Sequence, residues 1–281
     1  MLKLIVVTIG NQKGGIGKTT TATALASILK EKGYKTLLID TDMQCSSTYI
    51  FQGEYEGKTT LYDVLLDKDN PSLVSEAIQH TNVGDIVAGD PLLREADVRF
   101  VSNPDGYYHL ADALEEIRDI YDFVIIDTAP MLNSMLLSSL YASDYVIIPS
   151  DPSPLSILGF SQFHDTIATT QKRANPKLKI AGYLLIKYKA TTNMSNVTFN
   201  QIQKFAQKIG SKIFNTKIRE CVKQQEAQGK RTPIIQYSRN STTAKDYVDF
   251  VDEFLDDLGM RKENKINHGK KQNKQTGRIF S

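Results

Sequence analysis

Cysteine is nearly absent. The 281-residue chain has two, Cys45 and Cys221, far apart in sequence. That excludes a disulfide framework and makes a reducing cytosol the default compartment. No apolar run approaches the ~20 residues a membrane span needs. The apolar stretch from Leu2 to Ile9 is too short for a signal-peptide core and runs straight into glycines. Internal repeats are lacking too. So is an overall charge of one sign, because 34 Lys/Arg against 32 Asp/Glu leave only +2. That balance hides an asymmetry. From Met260 to Ser281 there are seven Lys/Arg and one acid, a surplus of six that leaves residues 1–259 at −4. Bulk charge therefore brings no nucleic acid to this protein, and any such contact needs a local patch or the tail.

What is present is ordinary globular material, 41% hydrophobic and 23% charged. It is enough for one large domain with a sizeable core. Four apolar runs end in a polar residue, glycine or proline: Leu4–Ile9 before Gly10, Leu37–Ile39 before Asp40, Phe123–Ile126 before Asp127 and Tyr145–Ile148 before Pro149. Ile180–Ile186 is a fifth run of the same kind. Continuous apolar runs of this length predict parallel strands buried on both faces. Helical patterns lie between them. Ala22, Leu25, Ala26 and Leu29 fall on one stripe, and Gly33 is placed to stop that helix. Leu110–Ile120 and Leu155–Thr169 are further helix candidates. The alternation predicts an α/β fold, a doubly wound, mostly parallel sheet with helices on both faces. Residues 1–259 read as one such domain, and 260–281 as a basic tail with the composition of a disordered segment.

Lys13-Gly14-Gly15-Ile16-Gly17-Lys18-Thr19-Thr20 stands between the first strand and the first helix. Phosphate oxygens are best held by backbone N–H groups, and glycines let a loop wrap them and feed a helix N-terminus. Lys18 supplies charge to the β- and γ-phosphates and Thr19 a hydroxyl to Mg²⁺. The strict pattern G-x-x-x-x-G-K-[ST] is not met, since its first glycine falls at Gln12. A second lysine, Lys13, opens the loop instead. The bland alternative is a glycine turn with two solvated lysines, but strand, motif and helix agree. A phosphate loop also needs a carboxylate behind Mg²⁺ and a group that orients water. Asp127 ends the strongest strand. Asp40 and Asp42 end another, two residues apart, which puts both on one face of an extended chain. The bland alternative is that one of them merely caps a helix or turn.

These motifs, with Leu-Leu-Ile-Asp-Thr-Asp-Met-Gln at 37–44 and Phe-Val-Ile-Ile-Asp-Thr-Ala-Pro at 123–130, closely resemble the ParA/MinD family of deviant Walker A P-loop NTPases. The likeness continues through Val146–Pro149 with Gly159, and through Gly229, Pro233, Tyr237, Ser241, Ala244 and Tyr247. It covers about residues 2–257. The resemblance implies a slow ATPase with ATP and Mg²⁺ as cofactors. It implies a sandwich homodimer formed on ATP binding, in which Lys13 reaches the partner's nucleotide. Lys13, Lys18 and Asp42 are then catalytic, with Asp42 positioning water. The loop residues Lys13, Gly14, Gly15, Ile16, Gly17, Lys18, Thr19 and Thr20 bind nucleotide, while Thr19, Asp40 and Asp127 serve the metal and its waters. Met43 departs from the family, which usually has proline there.

Within the family the ParA branch implies a plasmid or chromosome partition ATPase that is cytoplasmic and nucleoid-associated. It binds duplex DNA nonspecifically, and a ParB-type centromere-binding partner stimulates hydrolysis. Arg219 and Arg239 match positions where ParA proteins place DNA-binding arginines; Lys223, Lys230, Arg231 and Lys245 are weaker candidates, and all could be plain surface charge. The alternative is a MinD-like spatial regulator of cell division. That reading needs an amphipathic C-terminal helix, and Ile266, Ile279 and Phe280 cannot make a continuous apolar stripe, so no membrane contact is expected. An iron–sulfur electron carrier needs a cysteine near the Asp127 motif and has none there. The chain opens almost at its phosphate loop, so an N-terminal helix-turn-helix is not expected.

Overall fold

The computed structural model describes residues 3–67, 71–188 and 202–260. The basic tail from 261 to 281 lies outside the described residues. Eight strands form one sheet in the order β3-β4-β2-β5-β1-β6-β7-β8. They are β1 Ile5–Ile9, β2 Thr36–Asp40, β3 Ile78–His80, β4 Asp85–Val87, β5 Phe123–Asp127, β6 Tyr145–Ser150, β7 Lys179–Tyr188 and β8 Ile213–Arg219. Every pairing is parallel except β3 with β4. The doubly wound α/β expectation is borne out, and all five apolar runs are strands.

The central strands are mostly apolar because both faces are covered. Every residue of β2 and β5 is buried. One apolar cluster joins α1 (Lys18–Glu31) and the helix Thr242–Asp257 to one face through Leu25, Leu29, Tyr247 and Phe250. A second fills the other face through Leu61, Phe100, Leu110 and Val124. A third lies beneath the helices Ser134–Ala142 and Pro154–Arg173. Among the described residues no helix is long and apolar enough to cross a membrane.

Gly33 ends α1 as its position predicts. It sits at φ 81°, its N–H donates to the Lys30 carbonyl at 2.9 Å, and the Tyr34 N–H donates to Leu29 at 3.1 Å. That pattern satisfies the helix's last carbonyls and turns the chain into β2. The three strands the sequence did not reveal are the short or polar ones. β3 and β4 have three residues each, and β8, reading IFNTKIR, carries polar groups in its middle. β8 is an edge, and the helix Thr242–Asp257 covers its open N–H groups with carboxylates. Glu253 accepts from the Asn215 and Thr216 N–H at 2.7 and 2.9 Å, and Asp246 from that of Arg219 at 2.9 Å. Such an edge is paired without a further strand.

A candidate nucleotide site at the carboxyl ends of the central strands

Parallel register brings the motifs together. Asp127 stands beside Ile9 on one side and Asp40 on the other, at the carboxyl ends of β1, β5 and β2. Ligands in open α/β sheets gather at this edge. The phosphate loop leaves β1 there and turns into α1. Gly15 and Gly17 both adopt left-handed backbone, at φ 70° and 69°, a region in which side-chain-bearing residues are rare. A cleft of about 1060 Å³ opens over the loop. Gly15 through Thr20, Asp42, Thr128 and Pro130 line its phosphate end.

Lys18 is buried, and its ammonium donates to the Lys13 carbonyl at 3.0 Å. Burial holds its pKa below the ordinary lysine value, against the pull of Asp127 and Asp42. Lys13 is not among the residues that line the cleft. Its ammonium meets both carboxylate oxygens of Asp151 at 2.8 Å and the Ser153 hydroxyl at 3.0 Å. In the single chain, Lys13 is thus held by its own β6 loop.

The three acids differ in their surroundings. Asp127 is wholly buried, and neither carboxylate oxygen has a hydrogen-bond partner. Burial pushes its pKa up to about 8, the Asp40 charge adds to this, and the Thr19 hydroxyl and Lys18 ammonium oppose it. Asp40 is equally buried but fully engaged. One oxygen accepts from the Thr48 N–H and hydroxyl at 2.8 and 2.7 Å, and the other from the Asp42 N–H at 3.1 Å. Burial raises its pKa, with the Thr48 hydrogen bonds pulling the other way. Asp42 lines the cleft and accepts from the Gln44 N–H at 2.9 Å. The shared face expected of Asp40 and Asp42 ends with the strand. β2 stops at Asp40, so the two-residue period no longer governs Asp42.

Those surroundings suit Mg²⁺ at Asp127. Two unpartnered buried carboxylate oxygens beside the Thr19 side chain await a cation or its waters. No group of three or more His, Cys, Asp or Glu makes a protein cage among the described residues. Mg²⁺ does not need one, because it keeps several waters and takes phosphate oxygens. Asp40 instead anchors α2 (Ser46–Ile50) beneath the Asp42 turn. Gly89 makes that packing possible: a Cβ there would stand 3.0 Å from the Asp40 carbonyl oxygen.

Several lining residues lie outside the phosphate-loop and aspartate motifs. Gln228 donates to the Thr20 hydroxyl at 3.2 Å, and Tyr247 shares a 3.1 Å hydrogen bond with Thr21. Both cysteines line the cleft. Burial pushes the Cys45 thiol up to about 12, which keeps it inert. Of the two arginines, Arg219 also lines the cleft, and its guanidinium grips Asp246 through two hydrogen bonds at 2.9 and 2.6 Å. Arg239 pairs with Glu31 at 2.6 Å, at the far end of α1. Asp246 is next to Tyr247, which meets Thr21; Thr21 and Glu31 lie about 15 Å apart along α1 at the usual rise per residue. The two arginines therefore hold separate places on the chain.

Comparison with known proteins identifies the family. A family model described as "AAA domain" matches residues 4–180. The sporulation initiation inhibitor protein Soj of Bacillus subtilis is 33% identical over 256 residues, spanning 90% of this chain and 98% of Soj. The chain belongs to the ParA/Soj family of P-loop ATPases. The chromosome partitioning protein ParA of Caulobacter vibrioides is 31% identical over 256 residues, spanning 90% of this chain and 94% of that ParA. Among solved structures, cobyrinic acid a,c-diamide synthase from Mycobacterium smegmatis, with bound ADP and magnesium, superposes with a TM-score of 0.78 at 27% identity. That match covers 92% of this chain and 96% of the synthase. The septum site-determining protein MinD of Pyrococcus horikoshii, complexed with Mg-ADP, has a TM-score of 0.72 at 21% identity, covering 92% and 99%. At that identity the MinD match speaks for the fold alone.

Proposed function

We propose that this ParA/Soj-family chain is a DNA-partition ATPase that binds MgATP in the cleft. It dimerises on ATP, holds duplex DNA without sequence preference and is released when a ParB-type partner stimulates hydrolysis. The supporting observation is the whole-length likeness to Soj and ParA proteins, joined to a phosphate loop that opens beside an unpartnered buried Asp127. The MinD-like reading is weaker, since the MinD match is 21% identical against 33% for Soj.

In this reading the loop N–H groups and Lys18 bind the phosphates, and Thr19 with Asp127 holds Mg²⁺ and its waters. The metal supplies charge neutralisation at the β- and γ-phosphates. Asp42, at the cleft wall, orients the attacking water, while Asp40 fixes the turn that carries Asp42. Lys13 leaves Asp151 to serve the partner's nucleotide.

ATP turnover with and without duplex DNA, read beside retention of DNA with a nonhydrolysable analogue, tests the whole. Asp42→Ala should bind ATP and dimerise by gel filtration while turnover falls by roughly 10²-fold or more. A monomeric Asp42→Ala would make the residue structural. Lys13→Ala should lose the ATP-dependent dimer.

For DNA, Arg239 is the cleaner probe, because Arg219 also lines the nucleotide cleft. Phosphate contacts release counterions, with a log–log salt slope of about −0.9 per contact. A dimer doubles each patch, so Arg239→Ala should flatten the slope by up to roughly 2 units and weaken all sequences alike. Arg219→Ala needs an ATP-affinity control beside it. A chain ending at Gly259 that loses all DNA binding, while both arginine variants keep it, would transfer the role to the tail.

A further inference from the structure

The phosphate loop touches β7, which no motif covers. Ile186 presses on it: a Cβ on Gly17 would stand 3.0 Å from the Ile186 Cδ1. The next residue, Lys187, sends its ammonium to the Gly15 carbonyl at 2.8 Å. Both residues line the nucleotide cleft. Lys187 also holds a left-handed backbone at φ 52° within the strand, which side-chain-bearing residues rarely adopt. Strain of this kind persists where the surroundings enforce it, and it clusters at ligand clamps.

Gly15 needs such a clamp. It is a glycine at φ 70° with nothing within 4 Å of the Cβ it lacks, so no neighbour packs on that face of the residue. A phosphate cradle works only if the peptide N–H groups face the anion. In a planar trans peptide the C=O and the following N–H point opposite ways. Holding the Gly15 carbonyl therefore sets the direction of the Ile16 N–H. The Lys187 side chain is exposed, and among the described residues no carboxylate pairs with its ammonium, so one N–H goes to the loop and the others face solvent.

We propose that Lys187 is a positioning residue for nucleotide binding, which clamps the Gly15 carbonyl and so keeps the Ile16 N–H turned to the phosphates. The inference rests on the nucleotide reading of the cleft. It goes beyond that reading by placing a third lysine, from the far half of the sheet, on the loop beside Lys13 and Lys18. Since the clamp acts on the loop and not on one phosphate, it serves di- and triphosphate alike.

The test measures affinity for MgADP and for a nonhydrolysable MgATP analogue in the full chain, with kcat at saturating ATP. Lys187→Met should weaken both nucleotides by the same factor, about tenfold, as expected for a lost charged hydrogen bond. Its kcat should stay within about twofold, since no reacting atom is touched. Lys187→Arg, which keeps a charged donor, should recover most of the affinity. Lys187→Gly should share the affinity loss yet melt at or above the parent, because glycine accepts the left-handed backbone. That combination separates a clamp from a merely structural lysine. Unchanged affinity in Lys187→Met would overturn the proposal. So would a loss confined to the triphosphate, which would place the charge on the γ-phosphate directly. If the parent itself bound no nucleotide, the reading of the cleft would fail instead.

Discussion

Lys18→Met is expected to lower kcat/KM for ATP by roughly 10³-fold or more, about 4 kcal/mol of lost transition-state stabilisation. The reason lies in where the sheet puts this side chain. Lys18 opens α1 directly after the left-handed Gly17, so its ammonium turns back over the loop and reaches the Lys13 carbonyl. It is buried, and Asp127 and Asp42 favour its charged form while burial opposes it. A buried ammonium supported in this way is a charge set where phosphate charge will develop. Methionine keeps the length and apolar stem but brings no charge. Arginine is no rescue, because its planar fork does not reproduce a compact ammonium. Binding and turnover should fall together, as the charge serves both ground state and transition state. A Lys18→Met protein that still binds and hydrolyses ATP like its parent would remove the phosphate loop from the mechanism.

The parts of this site that follow one another in the chain were legible, and the parts that meet across the fold were not. The run Lys13–Thr20 could be read because strand, glycine loop and helix are consecutive. Asp127 could be read because a fully buried strand that ends in a carboxylate needs a reason for that charge. By contrast, Lys187 reaches Gly15, Tyr247 reaches Thr21 and Gln228 reaches Thr20 from the far half of the sheet or from helices packed on it. Nothing local marks Lys187 or Gln228, and the resemblance that included Tyr247 did not show that it meets Thr21. Asp40 shows a different limit. Strand period predicted that it would face the site with Asp42, but the strand ends at Asp40 and Thr48 claims its carboxylate. Among the strands, β8 escaped because an edge strand carries polar residues, and its N–H groups are satisfied by Glu253 and Asp246 from a helix. The same carboxylate of Asp246 occupies Arg219, which the sequence offered as a DNA-binding candidate with no sign of this partner.

Asp127→Asn separates stability from function most sharply. In the nucleotide-free chain the Asp127 carboxyl is pushed up to about 8 from an unfolded value near 3.8, chiefly by burial and then by Asp40. The folded form therefore holds a proton that the unfolded chain has already released. By linkage, the stability this proton contributes is complete below about pH 4 and is lost as pH rises towards about 8. Asp40 is shifted in the same direction and adds to the slope. Asparagine cannot ionise, so the variant should lose most of that slope. At pH 8.5 it should be the more stable of the two, melting several degrees above the parent. The sign reverses when MgATP is present. The parent should gain more from MgATP as pH rises, since a cation beside Asp127 favours the ionised carboxylate. The variant should gain little, and its hydrolysis should drop by roughly 10²–10³-fold. Melting curves from pH 5 to 9, with and without MgATP, provide the measurement. A parent whose nucleotide-free stability rises through that range, or an Asp127→Asn chain that melts below it at pH 8.5, would show that the buried carboxyl is ionised and satisfied in the resting protein.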